Sequence, residues 1–276
     1  MKVTKIIFYS LLVAMTAACR GEDIASNADP LYGMETPSTI VAPYKRIAQE
    51  VDSDNGTIVR TKNYVYENKK LVQVLTSDNS SNEVISYAGE IINKIYKTEV
   101  EAGKTTSTTT YFVYNSAKAL EQMQHTKSVF DGTFTKNYVG STNFTYENQK
   151  VKKATTTYSE VLSSGGTTPA YTETIEWTYS GNNVVRKEIK KVDAPSNVTT
   201  ITVETYSNFD SKKSIYGGLP VPYVIYSFSS LGLSQNNPAT IVVGGVNTEY
   251  TYTYDSDSPL TRTAGNYKTQ YQYIVL

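Results

Sequence analysis

The most regular stretch of the chain lies near its C-terminus, where large and small side chains alternate. Tyr250, Tyr252 and Tyr254 are separated by Thr251 and Thr253, a period of two that only an extended strand can use. Successive side chains of a strand point to opposite faces of its sheet. We therefore predict that the three tyrosines lie on the packed face and that the two threonines face solvent.

The same unit of strand, polar turn and strand recurs along most of the chain. Its turns are rich in Asn, Asp, Gly and Ser, which tolerate a positive φ or bond their own backbone. In the first half, this pattern predicts strands at residues 44–51, 57–66, 71–76, 84–87, 91–99 and 105–114. Residues 117–126 carry a weak helical pattern, but strands flank them, so we predict a strand or irregular structure there.

Three segments show the repeat most clearly: 63–72 (NYVYENKKLV), 143–153 (NFTYENQKVKK) and 176–187 (EWTYSGNNVVRK). Each contains an aromatic residue, one spacer, a tyrosine, a turn with Asn, and then Val or Leu followed by Lys. The units are unevenly spaced, which indicates hairpins of different length rather than a strict solenoid.

These patterns predict an all-β fold: a single domain at residues 44–276 built as an antiparallel meander of repeated β-hairpins. So many strands rarely form an open, flat sheet. We expect a long twisted sheet that curls upon itself, or a two-layered one, with Thr and Lys on its solvated face. At about residues 215–238, glycines and prolines accompany many apolar side chains. We interpret this segment as an apolar insertion that packs over the sheet and contains a short helix.

Composition narrows the function classes. The chain has 24 tyrosines against 7 phenylalanines and 4 methionines, and a ring with a polar tip suits half-buried strand faces. Basic and acidic residues balance at 26 each. Nucleic-acid binding requires a clustered basic surplus, so we expect no nucleic-acid partner.

The N-terminus has the pattern of an export signal. Lys2 and Lys5 precede a short apolar run, and the small residues Ala17 and Ala18 precede Cys19, which is the only cysteine. This site resembles the lipobox of bacterial lipoproteins, which implies a signal peptide at 1–18, lipid attachment at Cys19 and a membrane partner through that lipid. The alternatives are ordinary cleavage after Ala18, which leaves a free thiol, or a buried core cysteine. Residues 19–43 contain turn formers and prolines without periodicity, which is typical of a flexible tether.

A broader resemblance rests on the hairpin units and on three C-terminal motifs. The units resemble degenerate YD repeats of the RHS type, and the motifs are 210–213 (DSKK), 236–238 (NNP) and 250–259 (YTYTYDSDSP). Together they are similar to uncharacterised Bacteroidota lipoproteins with a domain of unknown function. The chain departs from that family at 214–216, where NPF is expected, and at Ser258, where glycine is expected. The resemblance implies an exported all-β domain on the outer membrane, facing the periplasm or the cell surface.

Few residues offer catalytic or metal-binding chemistry. His125 is the only histidine and lies outside any motif, so we interpret it as a surface residue. Residues 52–56 and 255–257 faintly resemble calcium loops but lack the required ligand spacing, so we interpret both as hairpin turns. We predict no catalytic, cofactor-binding or metal-binding residue.

Two functions remain open from the sequence. The first is a non-enzymatic binding or scaffold module that presents Tyr, Thr and Lys side chains to a glycan or a protein ligand. The alternative is a glycan-acting hydrolase with paired carboxylates, for which Glu173, Glu176 and Glu204 are the candidates. Trp177 could stack on a sugar, but it shares a strand face with apolar residues, which favours a core position.

Overall fold

The structure, a computed structural model, describes residues 45–276. Cys19, the predicted signal peptide at 1–18 and the predicted tether at 19–43 lie outside the described residues. The described part is almost entirely antiparallel β, as the alternating pattern predicts, with seventeen strands and two short helices.

The strands follow the predicted hairpins closely. They are β1 Lys45–Asp54, β2 Thr57–Glu67, β3 Lys70–Thr76, β4 Ser81–Ala88, β5 Ile91–Glu101, β6 Lys104–Tyr114, β7 Leu120–Phe130, β8 Thr135–Glu147, β9 Lys150–Val161, β10 Thr167–Ser180, β11 Asn183–Asp193, β12 Val198–Phe209, β13 Pro238–Val243, β14 Val246–Glu249, β15 Thr251–Asp255, β16 Ser258–Ala264 and β17 Tyr267–Val275. The helices are α1 Val221–Tyr226 and α2 Ser230–Leu233.

The strands form one sheet that is nearly closed into a barrel. Each strand from β1 to β14 pairs with the next, β15 to β17 continue in the same way, and β17 pairs with β1 from Lys45↔Val275 to Asp54↔Tyr267. Only Tyr250 separates β14 from β15, and its backbone N–H donates to the carbonyl of Ala239 at 2.7 Å. The sheet therefore curls upon itself, which is one of the two arrangements predicted from the sequence, the other being a two-layered sheet.

The hairpin repeat has a structural cause at one end of the barrel. Five tyrosines, which we call the turn tyrosines, precede successive turns there, and the strand register shifts just before each of them. Each hydroxyl donates to the carbonyl of an apolar residue one hairpin earlier: Tyr66 to Ile47 at 3.0 Å, Tyr87 to Leu71 at 3.0 Å, Tyr114 to Ile92 at 2.6 Å, Tyr146 to Leu120 at 2.5 Å and Tyr179 to Val151 at 3.0 Å. The repeated Tyr-turn-Val/Leu pattern thus links neighbouring hairpins.

The insertion between β12 and β13 fills this same end, which we call the plugged end. Its buried side chains include Val221, Val224 and Ile225 of α1. The ring of Phe228 lies 6.3 Å from that of Trp177 on β10, and the ring of Tyr226 lies 5.9 Å from that of Phe112 on β6. The predicted insertion with a helix is therefore present, but it lies inside the curled sheet.

The tyrosines and threonines of β15 lie on the predicted faces of the sheet, but several lysines do not. Tyr250, Tyr252 and Tyr254 are half-buried on the inner face, and Thr251 and Thr253 are exposed, as predicted. The prediction that lysines occupy the solvated outer face is wrong for several of them. The inner face also carries Lys97, Lys127, Lys187 and Lys191 beside the tyrosines. Part of this face is accessible to solvent, so water can hydrate their ammonium groups.

Candidate binding site

The inner face is reached by solvent at the end away from the insertion, which we call the far end. Glu101, Lys104 and Lys136 lie on the inner face next to the far-end turns, and all three are exposed. Towards the plugged end, inner positions become buried and apolar, as at Ile95, Met123 and Ala154. The barrel thus has a packed half and a solvent-accessible half, and the candidate site lies in the latter.

Strands β8, β9 and β10 bring three tyrosines together on this inner face. We call Tyr138, Tyr158 and Tyr171 the tyrosine wall. Tyr158 faces Tyr171 across β9 and β10, and their ring centroids are 5.1 Å apart. Burial, with a smaller contribution from the Glu173 charge, raises the pKa of Tyr158 to about 12, and burial also raises the pKa of Tyr171. Both hydroxyls are therefore donors at neutral pH.

Gly140 makes room for the ring at the centre of the wall. It pairs with Tyr158 across β8 and β9. A Cβ at this position would lie 2.5 Å from the carbonyl oxygen of Thr157 and 2.7 Å from the Tyr158 ring. Any larger residue would push the ring away, so glycine fixes the position of Tyr158.

His125 supports the wall from the other side, and the prediction of a surface histidine is wrong. The residue is buried, with 8% of its surface exposed, and its ring stacks on Tyr158 at 5.6 Å. Its Nδ1 lies 3.0 Å from the Thr110 hydroxyl and its Nε2 lies 2.9 Å from the Thr142 hydroxyl. Burial lowers the pKa of His125 to about 4, so the ring is neutral and structural at pH 7. Threonine-rich strands on both sides bury the His125 ring. The residues next to His125 in the sequence give no sign of this burial.

Two lysines lie over the rings of the wall. The Lys127 Nζ is 6.0 Å from the ring centre of Tyr138 and 5.9 Å from that of Tyr158, and the Lys191 Nζ is 4.8 Å from that of Tyr171. Such cation–π contacts stabilise an ammonium that is partly removed from water. Lys191 also forms an ion pair with Asp193 at 2.8 Å and faces Glu173 across the strands.

A cavity of about 340 Å³ adjoins the wall. Its lining includes Lys127, Tyr138, Glu160, Thr168, Tyr171 and Pro195. Cavities of this size fall within the lower range of small-ligand sites. Aromatic rings, hydroxyls, an ammonium and a carboxylate thus converge on one concave space.

Three other buried carboxylates on the inner face have structural partners. Asp52 accepts from Arg60 at 2.6 Å and from Thr269 at 2.8 Å, so this residue belongs to β1 and not to the turn that the sequence predicts. Glu50 accepts from Tyr64 and Tyr216, and Glu83 accepts from Tyr223 at 2.7 Å. Because Tyr216 and Tyr223 belong to the insertion, these acids hold it inside the barrel.

The structure does not assemble the three carboxylates considered for hydrolysis. Glu176 is exposed on the outer face, where it forms an ion pair with Lys153 at 2.9 Å. Glu173 and Glu204 are on the inner face, and Glu204 is bound by Lys187 at 3.3 Å and by the Tyr206 hydroxyl. Trp177 is fully buried, as the face argument predicts.

The two segments that faintly resemble calcium loops, 52–56 and 255–257, both lie among the described residues. No group of three or more His, Cys, Asp or Glu side chains in this range is arranged to hold a metal. Asn55 and Gly56 form the turn between β1 and β2 with positive φ, and Asp257 forms an ion pair with Lys212 at 3.1 Å. No helix among the described residues is long and apolar enough to cross a membrane.

Fold and site together define a class: an antiparallel, nearly closed β-barrel with an internal plug and an aromatic site in its solvent-accessible half. No known family model and no curated protein matches the sequence. A porin-like protein from Bacteroides vulgatus ATCC 8482 has a similar solved structure, with a TM-score of 0.54 and 10% identity over 84% of this chain and 100% of that one.

Two further solved structures are more distant. A porin-like protein from Bacteroides uniformis ATCC 8492 gives a TM-score of 0.41 at 11% identity, over 83% of this chain and 98% of that one. A protein of unknown function from Bacteroides fragilis NCTC 9343 gives 0.20 at 17% identity, over 51% and 87%. At such identities, the similarity to the B. vulgatus protein shows the fold alone.

Proposed function

We propose that this protein is a non-enzymatic binding module of the cell envelope that holds a glycan in the solvent-accessible half of the barrel. The observation that carries the proposal is the tyrosine wall beside a cavity of about 340 Å³. Tyrosine offers a flat apolar face for a sugar ring and a hydroxyl for its polar rim. Glu160 on the cavity wall adds a carboxylate that can accept from sugar hydroxyls.

The insertion closes the plugged end, which supports a binding role at the far end only. Buried tyrosine–carboxylate hydrogen bonds hold the insertion at the plugged end, and breaking a buried bond to a charged group is unfavourable. A ligand therefore enters from the far end, where the inner face is exposed. The proposed site is a pocket with one mouth and not a continuous channel.

The outer face supports anchoring by lipid at Cys19 rather than by the strands. A barrel that crosses an outer membrane presents an apolar band about 25 Å tall to the lipid. Here amide side chains pair across outer strand positions: Gln49 with Asn63 at 2.8 Å, Gln73 with Asn82 at 2.8 Å and Gln122 with Asn143 at 2.9 Å. Such pairs suit an aqueous surface, so we propose an outer-membrane lipoprotein whose barrel stands in water.

The alternative of a glycan-acting hydrolase receives no support from the geometry. Hydrolysis by paired carboxylates needs two acids that face one substrate bond. Of the three candidate acids, Glu176 lies across the sheet from the other two. Binding without turnover is the simpler proposal.

Titration with soluble oligosaccharides tests the proposal. The probes are maltotriose, cellotriose, xylotriose and xylotriose carrying one methylglucuronate, measured by isothermal titration against the domain without its tether. We expect at least one probe to bind. Tyr171→Ala should weaken the affinity for that probe about tenfold, because the contact with the ring is lost. The outer-face variant Tyr111→Ala should bind the probe as tightly as the parent does. Absence of binding by all four probes, equal losses in both variants, or cleavage of a probe would contradict the proposal.

A further inference from the structure

We propose that the ligand of the tyrosine wall is an acidic saccharide and that Lys127 binds its anionic group. This inference rests on the proposed function and adds a charge to the ligand. It begins from the surroundings of Lys127, whose ammonium lies over two rings of the wall and borders the cavity.

Lys127 is a half-buried ammonium without a carboxylate partner in the part of the chain that the structure describes. Its cross-strand neighbours on the inner face are Thr108 and Tyr138, and along its own strand they are the neutral His125 and Val129. Other inner lysines have acidic partners: Lys97 pairs with Glu83 and Glu99, Lys136 with Glu160, Lys187 with Glu204 and Lys191 with Asp193. Lys62 and Lys104 form no ion pair, but they face Glu50 and Glu101 across the strands. A partly desolvated charge is normally paired, but Lys127 neither forms an ion pair nor faces a carboxylate across its strands.

The hydroxyls around Lys127 strengthen its preference for an anion. No hydrogen bond among residues 45–276 occupies the hydroxyls of Tyr138, Tyr158 or Tyr171. Tyr138 and Tyr171, with two of these O–H donors, border the same cavity as the Lys127 ammonium, and a carboxylate or sulfate offers the acceptors they lack. Both groups occur on acidic sugars, so a single anionic group on a saccharide is the shared chemistry.

The remaining charges favour an acidic saccharide over an acidic peptide. Glu160 borders the cavity and Glu173 neighbours the wall. Sugar hydroxyls can donate to these carboxylates, and the rings of the wall can stack on a pyranose. An acidic peptide carries several negative charges where the saccharide carries one, so the same two carboxylates would repel the peptide more strongly.

The test compares one saccharide with and without its charge. Xylotriose carrying one methylglucuronate and the methyl ester of that uronate have the same rings, and isothermal titration of the untethered domain measures both. We expect the acid to bind about tenfold more tightly than the ester, and this preference to shrink in high salt. Lys127→Gln should remove the preference and keep the affinity for the ester.

Lys94→Gln is the matched control. Lys94 faces Tyr111 on the outer side of β5 and β6, a Lys–Tyr cross-strand pair like that of Lys127 and Tyr138, and its loss should leave the preference intact. Equal binding of acid and ester by the parent, equal weakening of both by Lys127→Gln, or tighter binding of tri-glutamate would overturn the inference. If Tyr171→Ala still weakens the binding of both sugars in those cases, the glycan-binding proposal is retained without the preference for an acidic saccharide. Absence of binding by both sugars would overturn the inference, and absence of binding by all four saccharide probes would also contradict the glycan-binding proposal.

Discussion

At the scale of single residues, two sets of inner-face tyrosines perform separate tasks. The turn tyrosines use their hydroxyls to join neighbouring hairpins, whereas the tyrosine wall leaves its hydroxyls free. Both sets lie on the inner face, so neither composition nor alternation separates them. The difference depends on position along the barrel axis, because the turn tyrosines adjoin the packed insertion and the tyrosine wall adjoins solvent.

The turn tyrosines predict a measurable stability contribution from one hydroxyl. Tyr146→Phe removes the bond from its hydroxyl to the Leu120 carbonyl and keeps the ring, so we expect the free energy of unfolding to fall by about 1 kcal/mol. The control is Tyr111→Phe, whose hydroxyl is exposed on the outer face and should change stability by less than about 0.5 kcal/mol. Urea denaturation measures both, and equal midpoints would show that the inter-hairpin bond does not stabilise the barrel.

His125 predicts a pH dependence of stability. Its pKa is lowered to about 4 in the folded protein, against about 6.5 in an unfolded chain. Between these values the unfolded chain binds more protons, so stability is complete above pH 6.5 and is lost progressively as the pH falls towards 4. The expected loss is about 3 kcal/mol.

The measurement compares urea denaturation of the parent and of His125→Gln at pH 7 and at pH 4.5. Carboxylates titrate in both proteins, so the difference between the two isolates the histidine. The parent should lose more stability than the variant between these pH values. The same loss in both would mean that His125 is not held neutral by burial.

At the scale of strands and helices, the alternation predicts which face packs. Tyr252 on β15 is half-buried on the inner face, and its hydroxyl donates to the Pro238 carbonyl at 2.9 Å. Thr253 is exposed on the outer face and shares a hydrogen bond of 2.7 Å with Thr261. We expect Tyr252→Ala to lower the free energy of unfolding by about 3 kcal/mol and Thr253→Ala to lower it by less than about 1 kcal/mol. Denaturation curves with the same midpoint for both variants would contradict the face assignment.

The insertion shows where an element depends on the whole fold. Its apolar residues and its Gly and Pro content predict a packed segment with a helix, and α1 and α2 are present there. Helices of six and four residues are too short to be stable alone. Packing inside the curled sheet stabilises them, which no local pattern in residues 215–238 reveals.

At the scale of the whole molecule, the first described residue and the mouth of the barrel lie at opposite ends. Lys45, the first described residue, forms an ion pair with Asp255 beside a plugged-end turn. A lipid tether that leaves from this end would turn the far end, with the tyrosine wall, away from the membrane. This orientation would expose the proposed site to soluble ligands.

The proposed anchor gives a prediction for the intact protein. Cys19→Ser removes the only thiol, so we expect the protein to move from the membrane fraction to the soluble exported fraction or to remain uncleaved. A second variant, Ser26→Ala, lies in the tether and should stay with the membranes. Mass spectrometry of the mature N-terminus checks the chemistry, and an unmodified cysteine there would disprove lipid attachment.

The sequence by itself determined the strands, their turns and the inward direction of residues such as Tyr252 and Trp177. These features depend on period-two alternation and on turn residues that act within a few positions. Closure of the sheet, the burial of His125 and the assembly of Tyr138, Tyr158 and Tyr171 were decided only by the tertiary structure. The register between strands sets which residues become neighbours, and turns and bulges such as the one before Tyr171 set that register.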